Sequence, residues 1–193
     1  MSDTLVASAQ AGDRAALDQL LRREQPRIYA LCRRMTGNDA DALDATQEAL
    51  IAVVRGLPRY DGRAAFSTWA YRVATNACLD ELRRRGRRPV PVDDGAAPER
   101  AAAGAEVGEA VAQRMELDDA LATLSPEFRA PLVLRDVMGL DYHAIAEALE
   151  IPPGTVRSRI ARARGQLADL LGQSGEPAGA PPTSDQDPTG NRT

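Results

Sequence analysis

Apolar residues return every third or fourth position through most of the first 85 residues and again between Leu117 and Leu171. That is the period of a helix burying one face. After a short leading helix, Leu17, Leu20, Leu21, Ile28, Leu31, Cys32 and Met35 form one stripe over Asp13 to Met35. Asp13 is placed to cap this helix and Gly37-Asn38 to end it. Pro26 predicts a kink or a break, because it lacks the N–H of the helical ladder. A second helix is predicted over Asp39 to Leu57, with Leu43, Leu50, Val53, Val54 and Leu57 buried and Pro58 as its stop. Asp41, Asp44, Gln47 and Glu48 lie largely off that side. RYDGRAA, Arg59 to Ala65, reads as a loop containing Gly62. A third helix follows from Phe66 to Arg85, with Phe66, Trp69, Ala70, Val73 and Ala77 inward. Thr68, Arg72, Thr75 and Leu79 share another face, with Asn76 at its border. The helix runs into the basic string RRRGRR, Arg83 to Arg88.

From Pro89 to about Val111 the periodicity stops and Pro, Ala, Gly, Asp and Glu take over, the composition of a flexible linker. Helical spacing resumes at Leu117, Leu121 and Leu124. Ser125 then stands as an N-cap before a first-turn Pro126, with Leu132, Val133 and Val137 inward. Leu140 or Asp141 opens a short helix with Ile145, Ala146 and Leu149 inward. Ile151, Pro152 and Pro153 make a turn, and Thr155 is placed to cap the next helix. There Val156, Ile160, Ala163, Leu167 and Leu170 form a clean packing stripe up to Gly172. With no useful run of strand-like alternation, the fold expected is all-α, divided as 1–88, a linker 89–116, 117–172 and a disordered tail 173–193.

The last helix carries the sharpest chemistry. Opposite its apolar stripe stand Arg157, Ser158, Ala161 and Arg162, with Arg159 and Arg164 on the flanks. Helix, tight turn and Arg-rich second helix are what reading a DNA major groove needs. Phosphate contacts set position and base-edge contacts give sequence. Arg162, with Ser158 and Ala161, is therefore assigned to bases, and Arg157, Arg159 and Arg164 mostly to phosphates.

Composition narrows the rest. Aromatics make up only 4% of the chain, so cores must be built from aliphatic residues and alanine, which suits packed helices. All 24 basic residues are Arg, which excludes Schiff-base lysine chemistry and the P-loop lysine. The net charge of −4 hides an asymmetry: residues 1–92 carry 15 Arg against 11 acids, whereas residues 93–116 carry 2 against 6. Overall acidity is thus poor evidence against nucleic acid. Cys32, Cys78 and the single His143 stand in no metal-ligand spacing, and both thiols read as buried and reduced. No metal, cofactor or catalytic constellation is expected. No signal core or membrane-spanning run occurs, so a soluble cytoplasmic protein is expected.

Three motifs in order carry a family resemblance. DALDATQEALIAVVRGLPRYDG, FSTWAYRVATNACLDELRRR and LSPEFRAPLVLRDVMGLDYHAIAEALEIPPGTVRSRIARARGQL resemble the conserved second and fourth regions of extracytoplasmic-function (ECF) sigma factors, the compact group 4 of the sigma family. The match spans about residues 5–88 and 117–171. The resemblance implies a region 2 bundle and a region 4 helix-turn-helix of winged-helix-like class. It implies core RNA polymerase as partner through both large subunits, promoter DNA, and an anti-sigma factor of the kind that commonly holds family members. The free chain would be a monomer. Asp41, Asp44, Gln47 and Glu48 would dock the polymerase clamp, with Leu43 and Ala45 departing from the family's usual acid and leucine. Arg59, Tyr60, Gly62, Arg72, Thr75, Asn76 and Leu79 would hold the melted −10 strand, which needs a cationic groove and a pocket for an unstacked base. Arg83, Arg84, Arg85, Arg87 and Arg88 would meet duplex backbone. Thr155, Arg157, Ser158, Arg159, Ala161, Arg162 and Arg164 would read −35 DNA. Trp69 reads as core or core edge rather than a stacking wedge. Asp93 and Asp94 mark an acidic linker that would either thread the polymerase cleft or serve only as a tether.

The competing reading is an autonomous helix-turn-helix regulator. It accounts for the C-terminal third but leaves the FSTWAYRVATN helix unused and supplies no dimerisation segment. An enzyme acting on nucleic acid finds no residues to support it.

Overall fold

The computed structural model describes residues 2–87 and 117–174, and these form two packed helical regions with no strand among them. The first is a bundle of α1 (Ser2–Gln10), α2 (Arg14–Thr36), α3 (Asp39–Gly56) and α4 (Phe66–Arg87). Asp13 caps α2 as expected, accepting from the Ala15 and Ala16 amides at 2.9 and 3.2 Å. Pro26 does not divide α2. It lies exposed, and the helix beyond it is held by Ile28, Leu31, Cys32 and Met35, all fully buried. Gly37 ends α2 at φ +82°, and Asn38 caps α3 through the Asp41 amide at 2.9 Å.

The buried side of α3 keeps Val53 and Leu57 of the expectation, with Leu50 half-buried, but not Leu43 or Val54. Ala42, Ala45, Ala49 and Val53 are at most 1% exposed, while Leu43 is 59% and Val54 37% exposed. Close approach of α2 and α4 selects the small side chains, so alanine takes the inward positions and the larger residues are turned out. The same crowding recurs at Gly56, where a Cβ would come within 2.9 Å of the Trp69 ring. A short 3₁₀ turn, Leu57–Arg59, closes α3. On α4 the inward stripe is Phe66, Ala70, Ala74 and Cys78, with Trp69, Val73 and Ala77 half-buried. Cys32 and Cys78 are buried free thiols. Cys78 is held well above the usual thiol range by its hydrogen bond with Cys32 and by burial.

The second region comprises helical residues 117–123, α5 (Pro126–Leu132), α6 (Tyr142–Leu149) and α7 (Pro153–Ser174). Ser125 precedes α5 in extended conformation but makes no side-chain cap bond. After α5 the chain opens into a π-helical turn, Val133–Val137. The wider turn shifts the register, so Leu134 is fully buried and Val137, expected inward, is 36% exposed. Asp141 caps α6 through the His143 and Ala144 amides at 2.9 and 2.8 Å, and those bonds hold its carboxyl below the usual range. α7 begins at Pro153, so Thr155 lies inside it rather than at its cap, and it passes Gly172 to end at Ser174. Val156, Ile160 and Ala163 form its buried stripe, at 2% exposure or less, with Leu167 half-buried and Leu170 exposed.

Candidate nucleic-acid interface

Three surfaces stand out, each built by a different helix. On α3, Leu43, Ile51 and Val54 form an exposed apolar stripe at i, i+8 and i+11, bordered by exposed Asp44, Gln47 and Glu48. Asp41 is half-buried and engaged: the Asn38 amide and the Arg85 guanidinium both donate to its Oδ2 at 2.7 Å. An apolar stripe with an acidic border suits a protein partner with cationic edges rather than nucleic acid.

The second surface is a cleft of about 510 Å³ beside α4. The wall that the first bundle gives it includes Arg59, Tyr60, Arg63, Thr68, Trp69 and Arg72. Tyr60, Phe66 and Trp69 pack ring against ring with centroids 5.3 to 5.5 Å apart. Tyr60 is fixed further by donating its hydroxyl to the Ala64 carbonyl at 2.5 Å. Arg63 pairs with Asp61 at 3.1 Å, whereas Arg59 and Arg72 have no ion-pair partner among the described residues. Unpaired guanidiniums beside an aromatic wall are what a single nucleic-acid strand needs for its phosphates and bases.

Of the other residues expected here, Asn76 is exposed and Leu79 half-buried in an adjoining apolar groove. Gly62 sits in the loop at φ +73°, where glycine is favoured. Thr75 is corrected from an outward to an inward position. It is fully buried, and its hydroxyl donates to the Tyr71 carbonyl at 2.8 Å. Helical spacing could not show this, because Thr75 lies beside Ala74 at the edge of the inward stripe. Arg63, Thr68 and Trp69 were not among the expected strand-holding residues, and an Arg in a loop or a Trp on an apolar stripe gave no signal to separate them.

The third surface is the outer side of α7. Arg162, Ser158 and Ala161 are exposed there, and Arg162 has no ion-pair partner among the described residues. The neighbouring arginines are held by their own region. Arg164 pairs with both oxygens of Asp136 at 2.6 and 3.2 Å, which raises its already high pKa. Arg159 pairs with Glu127 at 3.2 Å and is half-buried. Arg157 stands over the Tyr142 ring at 5.6 Å, with Arg135 at 4.9 Å from the same ring. Arg135 and Tyr142 escaped the sequence reading, since only the fold brings them to α7. Thr155 is half-buried and accepts the Ser158 hydroxyl through its carbonyl at 3.0 Å. In the basic string, Arg83, Arg84 and Arg85 pair with Asp80, Glu81 and Asp41 at 2.9, 3.1 and 2.7 Å. The side chain of Arg87, all of Arg88, and the linker with Asp93 and Asp94 lie outside the described residues.

No helix among the described residues is long and apolar enough to cross a membrane, and no group of His, Cys, Asp and Glu there could hold a metal ion.

Both helical regions match known proteins. Residues 20–88 match Sigma-70 region 2, and residues 114–167 match Sigma-70 region 4. The chain is 41% identical over 169 residues to the ECF RNA polymerase sigma factor SigM of Mycobacterium tuberculosis, covering 87% of this chain and 83% of that one. It is also 41% identical over 166 residues to SigE of Mycolicibacterium smegmatis, covering 83% of this chain but 64% of the longer relative. Among solved structures its fold is similar to CnrH in complex with the cytosolic domain of CnrY. The TM-score is 0.69, over 90% of this chain and 99% of that one, at 23% identity. RpoE of Bartonella quintana, in complex with the anti-sigma factor NepR, gives a TM-score of 0.64 over 80% and 96% at 22% identity. With both regions matched in order on one helical chain, the protein belongs to the ECF RNA polymerase sigma factors.

Proposed function

We propose that the three surfaces divide the work of promoter-specific initiation. The α3 stripe, Leu43, Ile51 and Val54 with Asp44, Gln47 and Glu48, docks core RNA polymerase. The cleft holds the melted −10 strand through Arg59 and Arg72, with Tyr60 and Trp69 as its aromatic wall. Arg162, Ser158 and Ala161 read −35 base edges, while Arg157 and Arg159 serve the adjacent phosphates. Domain limits of 1–88 and 117–172 follow from these roles, with residues 89–116 as the tether between them. The chain brings no catalytic chemistry of its own and acts in the cytoplasm, where the polymerase is.

The observation that carries this reading is the exposed apolar stripe on α3 in the same chain as two arginine-bearing surfaces of different shape. An autonomous regulator has no use for that stripe. Two weak DNA sites on one tether gain avidity only when held at a fixed spacing, which a polymerase core provides. An anti-sigma partner is also proposed, on the strength of the fold shared with RpoE of Bartonella quintana, solved in complex with the anti-sigma factor NepR.

The test is reconstitution: purified protein, a bacterial core polymerase and genomic fragments in run-off transcription, with the 5′ ends mapped. Core-dependent starts downstream of one shared bipartite sequence are expected. Tight sequence-specific DNA binding without core, and no transcripts with it, would transfer the function to the autonomous regulator.

A further inference from the structure

The two helical regions meet along a seam that the promoter-reading roles do not require. Arg129, only 5% exposed, donates to the Leu124 carbonyl at 2.7 Å and to the Ala122 carbonyl within its own region. It also crosses to donate to the Met35 carbonyl at the end of α2. Burial lowers its pKa, yet an arginine stays charged, so these carbonyls share a full positive charge. Asp118 stands 3.7 Å from Arg33 and 4.0 Å from Arg34 of α2. Gly37 lies so near residues 117–123 that a Cβ on it would come within 3.1 Å of the Ala122 Cβ.

This seam brings α6 against α4, and with it a second wall to the cleft. Ala144, Glu147, Ala148 and Glu150 line the side facing Arg59 and Arg72. In the adjoining groove Leu149 lies with Leu79 and Leu82. Glu147 makes only a long contact with His143, at 3.8 Å, and no ion pair is closed across the cleft among the described residues. Two carboxylates therefore line the same cleft as two guanidiniums that have no ion-pair partner among the described residues.

Glu150 adds an independent sign. It caps α6 at φ +55°, and among the described residues it is the non-glycine residue with positive φ. Glycine would occupy that turn without strain. A strained acid lining the same cleft as Arg59 and Arg72 points to use of its charge.

We propose that region 4 closes over the strand-holding cleft of region 2, with Glu147 and Glu150 standing in for nucleic-acid phosphate, so that the free chain shuts its own −10 site. The outer side of α7 stays in water, so duplex reading by Arg162 is left open in the closed chain. Opening requires the seam at Arg129, Asp118 and Gly37 to part, and docking to polymerase supplies the competing contacts. This rests on the reading of the cleft as the strand site, so the experiment separates the two.

The full chain is spin-labelled at two exposed positions, Ala15→Cys and Gln166→Cys, and the distance distribution is read by pulsed electron resonance. Single-strand affinity is read by anisotropy with a labelled mixed-sequence 20-mer. The variants are Ala122→Phe and Asp118→Arg, which wedge or repel the seam, and Glu147→Gln/Glu150→Gln in the cleft wall. The wild type is expected to give one short, narrow distance. Each seam variant is expected to lengthen and broaden it, and to tighten single-strand binding about tenfold, equivalent to about 1.4 kcal/mol. The glutamine pair should tighten binding about three- to tenfold. A wild type already broad overturns closure. Seam variants that open without tighter binding overturn inhibition. In that case Arg72→Ala decides the cleft: weaker binding keeps it as the strand site, and no change removes both readings.

Discussion

Helices α3 and α7 are both amphipathic, yet they distribute their side chains in opposite ways. α7 follows the usual rule, hiding Val156, Ile160 and Ala163 and showing Arg157, Ser158 and Arg162. α3 hides alanines and shows Leu43, Ile51 and Val54 between acids. Fold stability alone explains the first pattern but not the second, since turning aliphatic residues to water forgoes their burial energy. The difference is what the proposed roles ask for: a charged polymer as the partner of α7 and another protein as the partner of α3.

The comparison breaks most visibly under one substitution made on both helices. Ile160→Ala removes a side chain that is 2% exposed and should cost about 2–5 kcal/mol of folding stability. Ile51→Ala, at a position 37% exposed, should stay within about 0.5 kcal/mol of wild type. Urea titration of the two variants measures both. Equal losses would mean that the α3 stripe is packed in solution and is no docking face.

Charge placed on the stripe sharpens the same contrast on the binding side. Leu43→Asp and Val54→Asp should leave the melting temperature unchanged and weaken association with core polymerase about tenfold or more, equivalent to about 1.4 kcal/mol. Analytical ultracentrifugation with labelled chain reads the effect. Unchanged association would move the docking site off α3.

On α7 the contrast lies between neighbours. Arg162→Ala should remove about 1–3 kcal/mol of discrimination at one −35 base pair. Arg164→Ala should reduce affinity little and evenly across sequences, because Asp136 already holds that guanidinium through its Nε and Nη2. Competition binding of holoenzyme to a library randomised at the −35 site separates the two. A sharper loss of specificity at Arg164 would mean that its pair with Asp136 opens on DNA.

Much of this was legible in the sequence, for reasons particular residues make clear. Asp13, Gly37 and Asp141 act within a few residues of themselves, so the helix ends they set follow from local spacing, whereas Asn38, read as part of one helix's end, caps the next. The stripe on α7 was legible as far as Leu167 because Val156, Ile160, Ala163 and Leu167 keep regular helical spacing with no larger apolar residues on the opposite side. α3 was legible at Val53 and Leu57 but not at Leu43 and Val54, because an alanine side reads as neutral beside those two larger residues. Val137 was misplaced because the π-helical turn changes the number of residues per turn where nothing in VLRDV announces it. The cleft was legible only by half. Arg59, Tyr60 and Arg72 come from one loop and one helix, but Glu147 and Glu150 reach it through tertiary packing about 80 residues away, as residue numbers show.

The smallest effect concerns the cap that aims α6 and, through the turn after it, α7. The Ala144 and His143 amides depress the Asp141 carboxyl, so its contribution to stability is present above the unfolded carboxylate range, about pH 4. That contribution fades as pH falls through the lower folded value. Asn keeps the capping oxygen but has no charge to titrate. The melting temperature of Asp141→Asn should therefore lie slightly below wild type near neutrality and converge with it as pH falls toward about 3. No comparable convergence is expected on α3, whose cap Asn38 already lacks a titrating group. A constant gap across that range would mean that the charge on Asp141 contributes nothing and that only its hydrogen-bond geometry holds α6 in place.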